Sequence, residues 1–324
     1  MTVRSIPQSR ILGSAVRLLV AATWACFAFA ISASPRAEQA KAGQAAYKTS
    51  DEAIEALVAS VKSNDKDAIV KVLGPEALEL VNSGDPVYDA LVRDKFIAAL
   101  AAYHELESVD EARRVLVLGT EKYPFPIPLV LRDNTWRFDT GAGKEEILNR
   151  RIGENELRTM QVMLAFVDAQ RDYASVDHDG KGLQYARRLL STQGKRDGLY
   201  WETAEGEPPS PMGPLIAQAK TEGYTADKSD TGPAAYHGYV FKLLTAQGPN
   251  APGGVQQYIV NGRMIAGYGL VATPAEYANS GVMTFIVNQD GVVYEKDLGP
   301  ESRARMAKMK VYDPDSTWRR ADAD

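Results

Sequence analysis

The chain has 324 residues, of which 45% are hydrophobic and 24% charged, and its formal net charge is -5. This composition is typical of a folded protein with one large domain or two of ordinary size. The mixed charges exclude the strongly basic surface that binds nucleic acid, and no polybasic membrane patch is present. The single cysteine, Cys26, excludes an intramolecular disulfide.

The start of the chain has the three segments of a secretory signal peptide. A basic segment with three arginines precedes an apolar run over residues 18–31, and small residues follow at 32–34. The apolar run is too short to span a bilayer comfortably, so we predict a signal peptide over residues 1–33, cleaved after Ala30 or Ala33. Loss of three arginines would change the net charge from -5 to -8. The predicted location is the periplasm or the exterior, with no transmembrane segment after cleavage.

A flexible lead-in is predicted over residues 34–46, followed by an N-terminal α+β unit over residues 47–140. Thr49 and Glu52 form the capping box of a first helix, and apolar residues then recur at helical spacing. The other predicted elements of this unit are helices over 67–73, after Pro75 and from Asp85 to Tyr103, a strand over 113–119, and a hairpin of 129–131 with 135–138.

A central helical region is predicted over residues 141–230 and a C-terminal β-rich unit over 231–320. The central region contains predicted helices over 144–173, 185–190 and 215–221. The β-rich unit contains predicted strands over 239–246 and 268–272, a hairpin of 282–287 with 292–295, and a closing helix over 302–309. The predicted fold class is therefore α+β, with N-terminal helices and a small hairpin, a long central helix and a C-terminal antiparallel β-sheet.

Several spaced motifs resemble a bacterial family of exported proteins, domain-of-unknown-function family 2950. They lie at residues 136–140 (WRFDT), 152–157 (IGENEL), 198–201 (GLYW), 236–239 (YHGY), 245–248 (TAQG) and 284–288 (TFIVN). The resemblance covers nearly all of the chain after the signal peptide. It implies export and assigns no catalytic residues. Within the C-terminal unit, residues 238–241, 271–274, 281–285 and 290–293 also resemble the β-meander of pilin-like secreted proteins, which implies a likeness of fold only.

Five residues near predicted loops are candidates for a binding site: Tyr200, Trp201, Tyr236, His237 and Tyr239. Flat aromatic faces can bind sugar rings or peptides. The alternative is that these side chains close the core between the two halves of the protein. The sequence leaves both interpretations open.

His237 is also the best candidate for a catalytic base, because it lies between two tyrosines at the start of a predicted strand. A hydrolase would need a serine or carboxylate beside it, and the motif Gly-x-Ser-x-Gly is absent. The alternative is a structural histidine that bonds to the backbone.

Asp177 and Asp179, followed by the Gly180 turn, are similar to half of a calcium loop, since alternating oxygen ligands suit a hard cation. The remaining ligands of such a loop are missing, so an ordinary Asx turn is the alternative. No other cofactor is indicated.

The leading hypothesis is a non-catalytic exported envelope protein that binds or scaffolds another protein or a cell-wall glycan. It rests on the signal peptide, the lack of a catalytic set and the aromatic residues in predicted loops. The alternative is a periplasmic hydrolase that uses His237 on an envelope substrate. A calcium-stabilised structural module is a third hypothesis.

Overall fold

The computed structural model describes residues 43–224 and 235–321, so the predicted signal peptide lies outside the described residues. The fold is α+β, as predicted. The helices are α1 (Ser50–Ser63), α2 (Lys66–Leu73), α3 (Pro86–Ala102), α4 (Thr140–Ala174), α5 (Gly213–Thr221) and α6 (Ser302–Lys308). The strands are β1 (His104–Ser108), β2 (Arg113–Leu118), β3 (Tyr123–Pro124), β4 (Leu129–Arg132), β5 (Thr135–Phe138), β6 (Tyr239–Leu244), β7 (Ala246–Gln247), β8 (Gln256–Gln257), β9 (Ile259–Val260), β10 (Arg263–Met264), β11 (Gly269–Pro274), β12 (Met283–Asn288), β13 (Tyr294–Asp297), β14 (Val311–Tyr312) and β15 (Arg319–Arg320).

The N-terminal part folds around a helix that begins at the predicted capping box. The hydroxyl of Thr49 accepts a hydrogen bond from the amide of Glu52 (3.1 Å), and the Glu52 carboxylate accepts one from the Thr49 amide in return. Helices α1 and α2 pack on an antiparallel sheet in the order β1-β2-β4-β5, with β3 paired to β2. Leu57, Leu116 and Leu129 are each 1% exposed at the centre of this core.

The N-terminal part differs from the sequence-based expectation at three points. Residues 34–42 of the predicted flexible lead-in lie outside the described residues, and Gln44 near its end is held by the fold: its side-chain amide donates to the carbonyl oxygens of Leu73 (2.9 Å) and Phe138 (2.8 Å). The helix predicted after Pro75 is only a short 3-10 helix, Pro75–Leu78. Strand β1 was not predicted; its sequence is mostly polar because it is an exposed edge strand.

The C-terminal part is an antiparallel sheet with a helix on each face. Its strand order is β15-β13-β12-β11-β6, and every neighbouring pair is antiparallel. On one face, Met163 and Phe166 of α4 pack against Tyr268 and Phe285. On the other face, Met306 of α6 packs in a smaller core.

The prediction of a helix over residues 185–190 was wrong. This segment makes its hydrogen bonds to distant parts of the chain and not within itself. The side chain of Gln170, which is fully buried, donates to the carbonyl of Ala186 (3.0 Å) and accepts from its amide (2.9 Å). The amides of Leu199 and Tyr200 then donate to the carbonyls of Arg188 and Leu189 (both 3.0 Å). Tertiary hydrogen bonds thus replace those of the expected helix.

Helix α4 connects the two parts, since Ile147 packs against the N-terminal core and Phe166 against the C-terminal core. It begins at Thr140, four residues before the predicted start, and continues through Gly153. Across residues 43–224 and 235–321, each helix is too short or too polar to cross a membrane.

Candidate functional site

Residues 236–239 form a tight turn into β6, which we call the His237 turn. The amides and carbonyls of Tyr236 and Tyr239 bond to each other (2.8 and 3.1 Å). His237 (φ 47°) and Gly238 (φ 73°) both have left-handed backbone conformations, as a type I′ turn requires. A Cβ atom on Gly238 would lie 2.5 Å from the side-chain nitrogen of Asn155, so glycine is needed here for space as well as for conformation.

Asp85 holds the His237 turn from the other half of the molecule. This aspartate is 1% exposed and caps α3, where its Oδ1 accepts the amides of Val87 and Tyr88 (both 3.1 Å). Its Oδ2 accepts the Tyr224 hydroxyl (2.8 Å) and the Gly238 amide (2.9 Å). One buried carboxylate therefore fixes the start of α3, the end of the α5 segment and the His237 turn.

The imidazole of His237 is enclosed by charged and aromatic groups. The residue is 4% exposed, and its Nε2 lies 2.9 Å from Oε2 of Glu222, although neither atom makes a hydrogen bond of normal geometry. The rings of Tyr236 and Tyr224 lie 4.3 and 5.5 Å away. Burial lowers the pKa of His237 below its usual value, and the nearby Glu222 carboxylate opposes this shift only in part. Burial also raises the pKa of Tyr236 to about 12.

The His237 turn does not contain the parts of a hydrolytic site within the residues that the structure describes. Nδ1 of His237 has no hydrogen-bond partner there, and no serine or threonine hydroxyl bonds to either ring nitrogen. A nucleophile paired with a base, and a third group that orients the base, are therefore not assembled around this imidazole.

The motif at residues 152–157 lies on α4 and contacts α3 on one side and the loop between β11 and β12 on the other. Glu154 faces α3 and lies 3.5 Å from the hydroxyl of Tyr88. Asn155 is fully buried and donates to the carbonyl of Ser280 (2.9 Å). Glu156 accepts the amide of Val282 just before β12 (2.9 Å). The two glutamates thus have separate structural partners and do not form an acid-base pair.

Tyr200 and Trp201 make their ring contacts away from the His237 turn. The Tyr200 hydroxyl accepts a hydrogen bond from Lys220 (3.0 Å), whose ammonium also lies over the ring. Trp201 contacts the rings of Tyr173 and His178, at centroid distances of 6.4 and 5.3 Å. Both side chains are half-buried against the C-terminal core.

Tyr239 is likewise a core residue. It is fully buried, and its hydroxyl lies 2.9 Å from the carbonyl of Met283. The five candidates therefore do not form one site. Tyr200 and Trp201 lie together, Tyr236 and His237 lie in the His237 turn, and Tyr239 lies in the core. The interpretation as core-closing residues fits Tyr239 best.

Asp177 and Asp179 form an Asx-type turn whose oxygens are used by the chain itself. Oδ1 of Asp177 accepts the amide of Gly180 (2.8 Å), and Oδ2 accepts that of Gly182 (2.8 Å). These amides, that of Gly182 most of all, lower the pKa of Asp177. In the described part of the chain, no group of three or more potential metal ligands is assembled. The local geometry favours the Asx turn over a calcium loop.

An apolar cavity, which we call the helical cavity, lies between α1, α2, α3 and α4. Its volume is about 410 Å³. Its apolar walls include Leu57 of α1, Ile69 of α2, Phe96 of α3 and Ile147 of α4. Although α3 is rich in apolar residues, it buries only Tyr88 and Leu100 fully. A concave, largely apolar space of this size is in the range of small-molecule pockets.

Arg151 of α4 lines the helical cavity and is 6% exposed. Nη1 donates to the carbonyl of Glu79 (3.0 Å) and to the side-chain oxygen of Asn279, and Nη2 donates to the carbonyl of Leu80. Burial lowers the pKa of its guanidinium, which stays charged at neutral pH. Arg151 makes no ion pair with a carboxylate in the part of the chain described here.

A family model described as "Protein of unknown function (DUF2950)" matches residues 44–321. The chain belongs to the DUF2950 family. The matched range contains the His237 turn, the α4 motif and the helical cavity. No curated protein and no solved structure matches this DUF2950 protein.

Sequence reasoning missed most of the partners that define these sites in the DUF2950 protein. Asp85 was identified only as a helix start, although an aspartate there also has the charge to hold a distant turn. Glu222 carried no local signal, and the partners of Arg151 lie far away in the chain. The helical cavity has no motif at all, since it arises from the spacing of four helices.

Proposed function

We propose that this DUF2950 protein is an exported, non-catalytic binding protein of the cell envelope that takes up an apolar ligand in the helical cavity. The observation that carries the proposal is the cavity of about 410 Å³ with largely apolar walls. Its volume lies within the range of about 300–1,000 Å³ that is typical of small-molecule pockets. The signal-peptide pattern supports export.

The binding test uses the purified chain without its signal peptide and a neutral fluorescent probe, N-phenyl-1-naphthylamine. Its fluorescence should rise to saturation as the probe enters the cavity. Ala90 lines the cavity on α3, so Ala90→Phe should weaken probe binding by about tenfold or more, since the new ring fills the space. Ala98→Phe places the same ring on an exposed position of α3 and serves as the matched control. Non-saturable fluorescence, or equal binding by both folded variants, would refute the proposal.

Export has its own test. When the full chain is expressed in a Gram-negative host, the protein recovered from the periplasmic fraction should begin at Ile31 or Ser34 by mass spectrometry. Uncleaved chain confined to the cytoplasm would contradict export and leave the binding test unaffected.

A further inference from the structure

We propose that the ligand of the helical cavity is a single-chain carboxylate, a fatty-acid-type molecule whose carboxylate bonds to Arg151 and whose hydrocarbon tail lies between the helices. This inference rests on the proposed function and adds the chemical class of the ligand. Three observations support it: the unused donors of Arg151, the charge of the cavity's polar residues, and the size and chemistry of its walls.

Arg151 is buried but does not use all of its hydrogen-bond donors. A guanidinium carries five N–H donors, and three are used by Glu79, Leu80 and Asn279. All three acceptors are neutral oxygens, and Asp89 acts on the positive charge only from a distance, so no carboxylate is paired with it within the described residues. A charge that is more than nine-tenths buried normally has such a partner. A carboxylate is the group that the guanidinium fork binds best.

The polar residues around the helical cavity favour an anion. Lys66 and Arg93 add positive charges to that of Arg151, and Asp89 supplies the one carboxylate among the lining residues. The Asp89 carboxylate accepts the amide of Ser83 (3.1 Å), which directs part of its charge away from the cavity. The lining residues therefore carry a formal excess of two positive charges, one of which, that of Arg93, is paired with Asp94 (3.1 Å). This excess attracts an anionic head group and disfavours a cationic one.

The remaining walls suit a hydrocarbon tail. Leu57, Val61, Leu73 and Phe96 present only carbon to the cavity, so a sugar or peptide would leave its polar groups unpaired there. The volume of about 410 Å³ is near the lower end of the usual pocket range of about 300–1,000 Å³. One chain fits this space better than the two chains of a phospholipid.

The experiment compares two ligands with the same hydrocarbon tail, the anion dodecanoate and its neutral ester methyl dodecanoate, each displacing N-phenyl-1-naphthylamine from the protein near neutral pH. Dodecanoate should displace the probe at about tenfold lower concentration, as expected for a hydrogen bond to a charged group. Arg151→Gln should abolish this preference while leaving probe binding intact. Because Arg151 also ties three segments together, this variant could fail to fold, so Lys66→Gln is the second variant. It should reduce the preference about twofold, whereas Lys62→Gln, an exposed lysine outside the cavity, should not change it.

The outcomes separate the inference from the function on which it rests. Cavity-dependent probe binding with equal displacement by the acid and the ester would overturn the carboxylate assignment and leave the binding function in place. A preference for the acid that Lys66→Gln and Lys62→Gln reduce equally would also overturn it, since the preference would then reflect surface charge. Absence of cavity-dependent probe binding, together with no displacement, would refute the proposed function itself.

Discussion

At the scale of single residues, Asp85 joins three separate parts of the fold through one carboxylate. Its two oxygens accept four hydrogen bonds from α3, Tyr224 and the His237 turn, and the residue is almost fully buried. Asp65 caps α2 through two similar amide bonds but is exposed and has no tertiary partner in the described residues. Comparison of Asp85 with Asp65 therefore separates the free energy of helix capping from that of the tertiary hydrogen bonds.

We expect Asp85→Ala to destabilise the protein by about 3 kcal/mol, because it removes a helix cap and leaves the buried Gly238 amide unpaired. Asp65→Ala should cost only about 1 kcal/mol, the usual value of a cap. Chemical denaturation of both variants measures the difference. Equal losses would mean that the bonds to Tyr224 and Gly238 add nothing to stability.

The pH dependence of stability should report on His237. Its folded-state pKa is lowered by burial, so the unfolded chain binds more protons once the pH falls below about 6.5, the ordinary histidine value. Stability is therefore complete above that pH and decreases as the pH falls towards the folded-state pKa. Burial also lowers the pKa of His178, which contributes in the same direction.

We expect the free energy of unfolding to fall between about pH 7.5 and about pH 5.5, and His237→Asn to reduce this loss. Asparagine tolerates the left-handed backbone of this position, so the turn should persist. His178→Asn is the comparison. It should remove a separate and smaller part of the pH-dependent loss of stability, because His178 is less buried. An unchanged pH slope in His237→Asn would show that the imidazole is not held neutral in the folded state.

At the scale of secondary-structure elements, two glycines of α4 occupy opposite environments. Gly153 has open space around it: a Cβ atom there would meet nothing within 4 Å. A Cβ atom on Gly143 would lie 2.3 Å from the carbonyl oxygen of Pro126, where α4 touches the segment before β4. The same substitution on one helix should therefore have opposite effects.

Gly153→Ala should stabilise the protein by about 1 kcal/mol, because alanine loses less backbone entropy in a helix. Gly143→Ala should destabilise it by about 2 kcal/mol or more, since backbone atoms must move apart. Thermal or chemical denaturation measures whether each variant is more or less stable than the parent protein. A destabilising Gly153→Ala would mean that the helix needs flexibility near the motif at residues 152–157.

Local sequence patterns predicted those elements whose causes are local. The capping box of α1 is formed by Thr49 and Glu52 alone, and the apolar stripe of α4 identified a long helix correctly. The segment at residues 185–190 was mistaken for a helix because its partner, Gln170, lies in a different element. The same limit applies to the candidate site. The sequence identified His237 as a candidate, but it did not indicate that Asp85 binds the turn, because Asp85 lies 153 positions from Gly238.

At the scale of the whole molecule, the two cores share α4 and are joined by polar contacts on both sides of it. Asn279, in the loop between β11 and β12, accepts a hydrogen bond from Arg151 and donates one to the carbonyl of Asn82 (2.7 Å). Asn155 and Glu156 bind the same loop near Ser280 and Val282. These contacts should make the N-terminal and C-terminal cores unfold together, although proteins of this size often unfold in steps.

Two single-tryptophan variants can test this coupling, since Trp136 lies in the N-terminal core and Trp201 beside the C-terminal core. With the other tryptophans replaced by phenylalanine, both probes should show the same denaturation midpoint. Asn279→Ala should then lower the free energy of unfolding equally for both probes, by about 1 kcal/mol, because it removes two partly exposed hydrogen bonds that join the cores. A shift seen by Trp201 alone would mean that the N-terminal core folds independently. In that case the helical cavity, whose walls belong to that part of the fold, would persist when the C-terminal sheet unfolds.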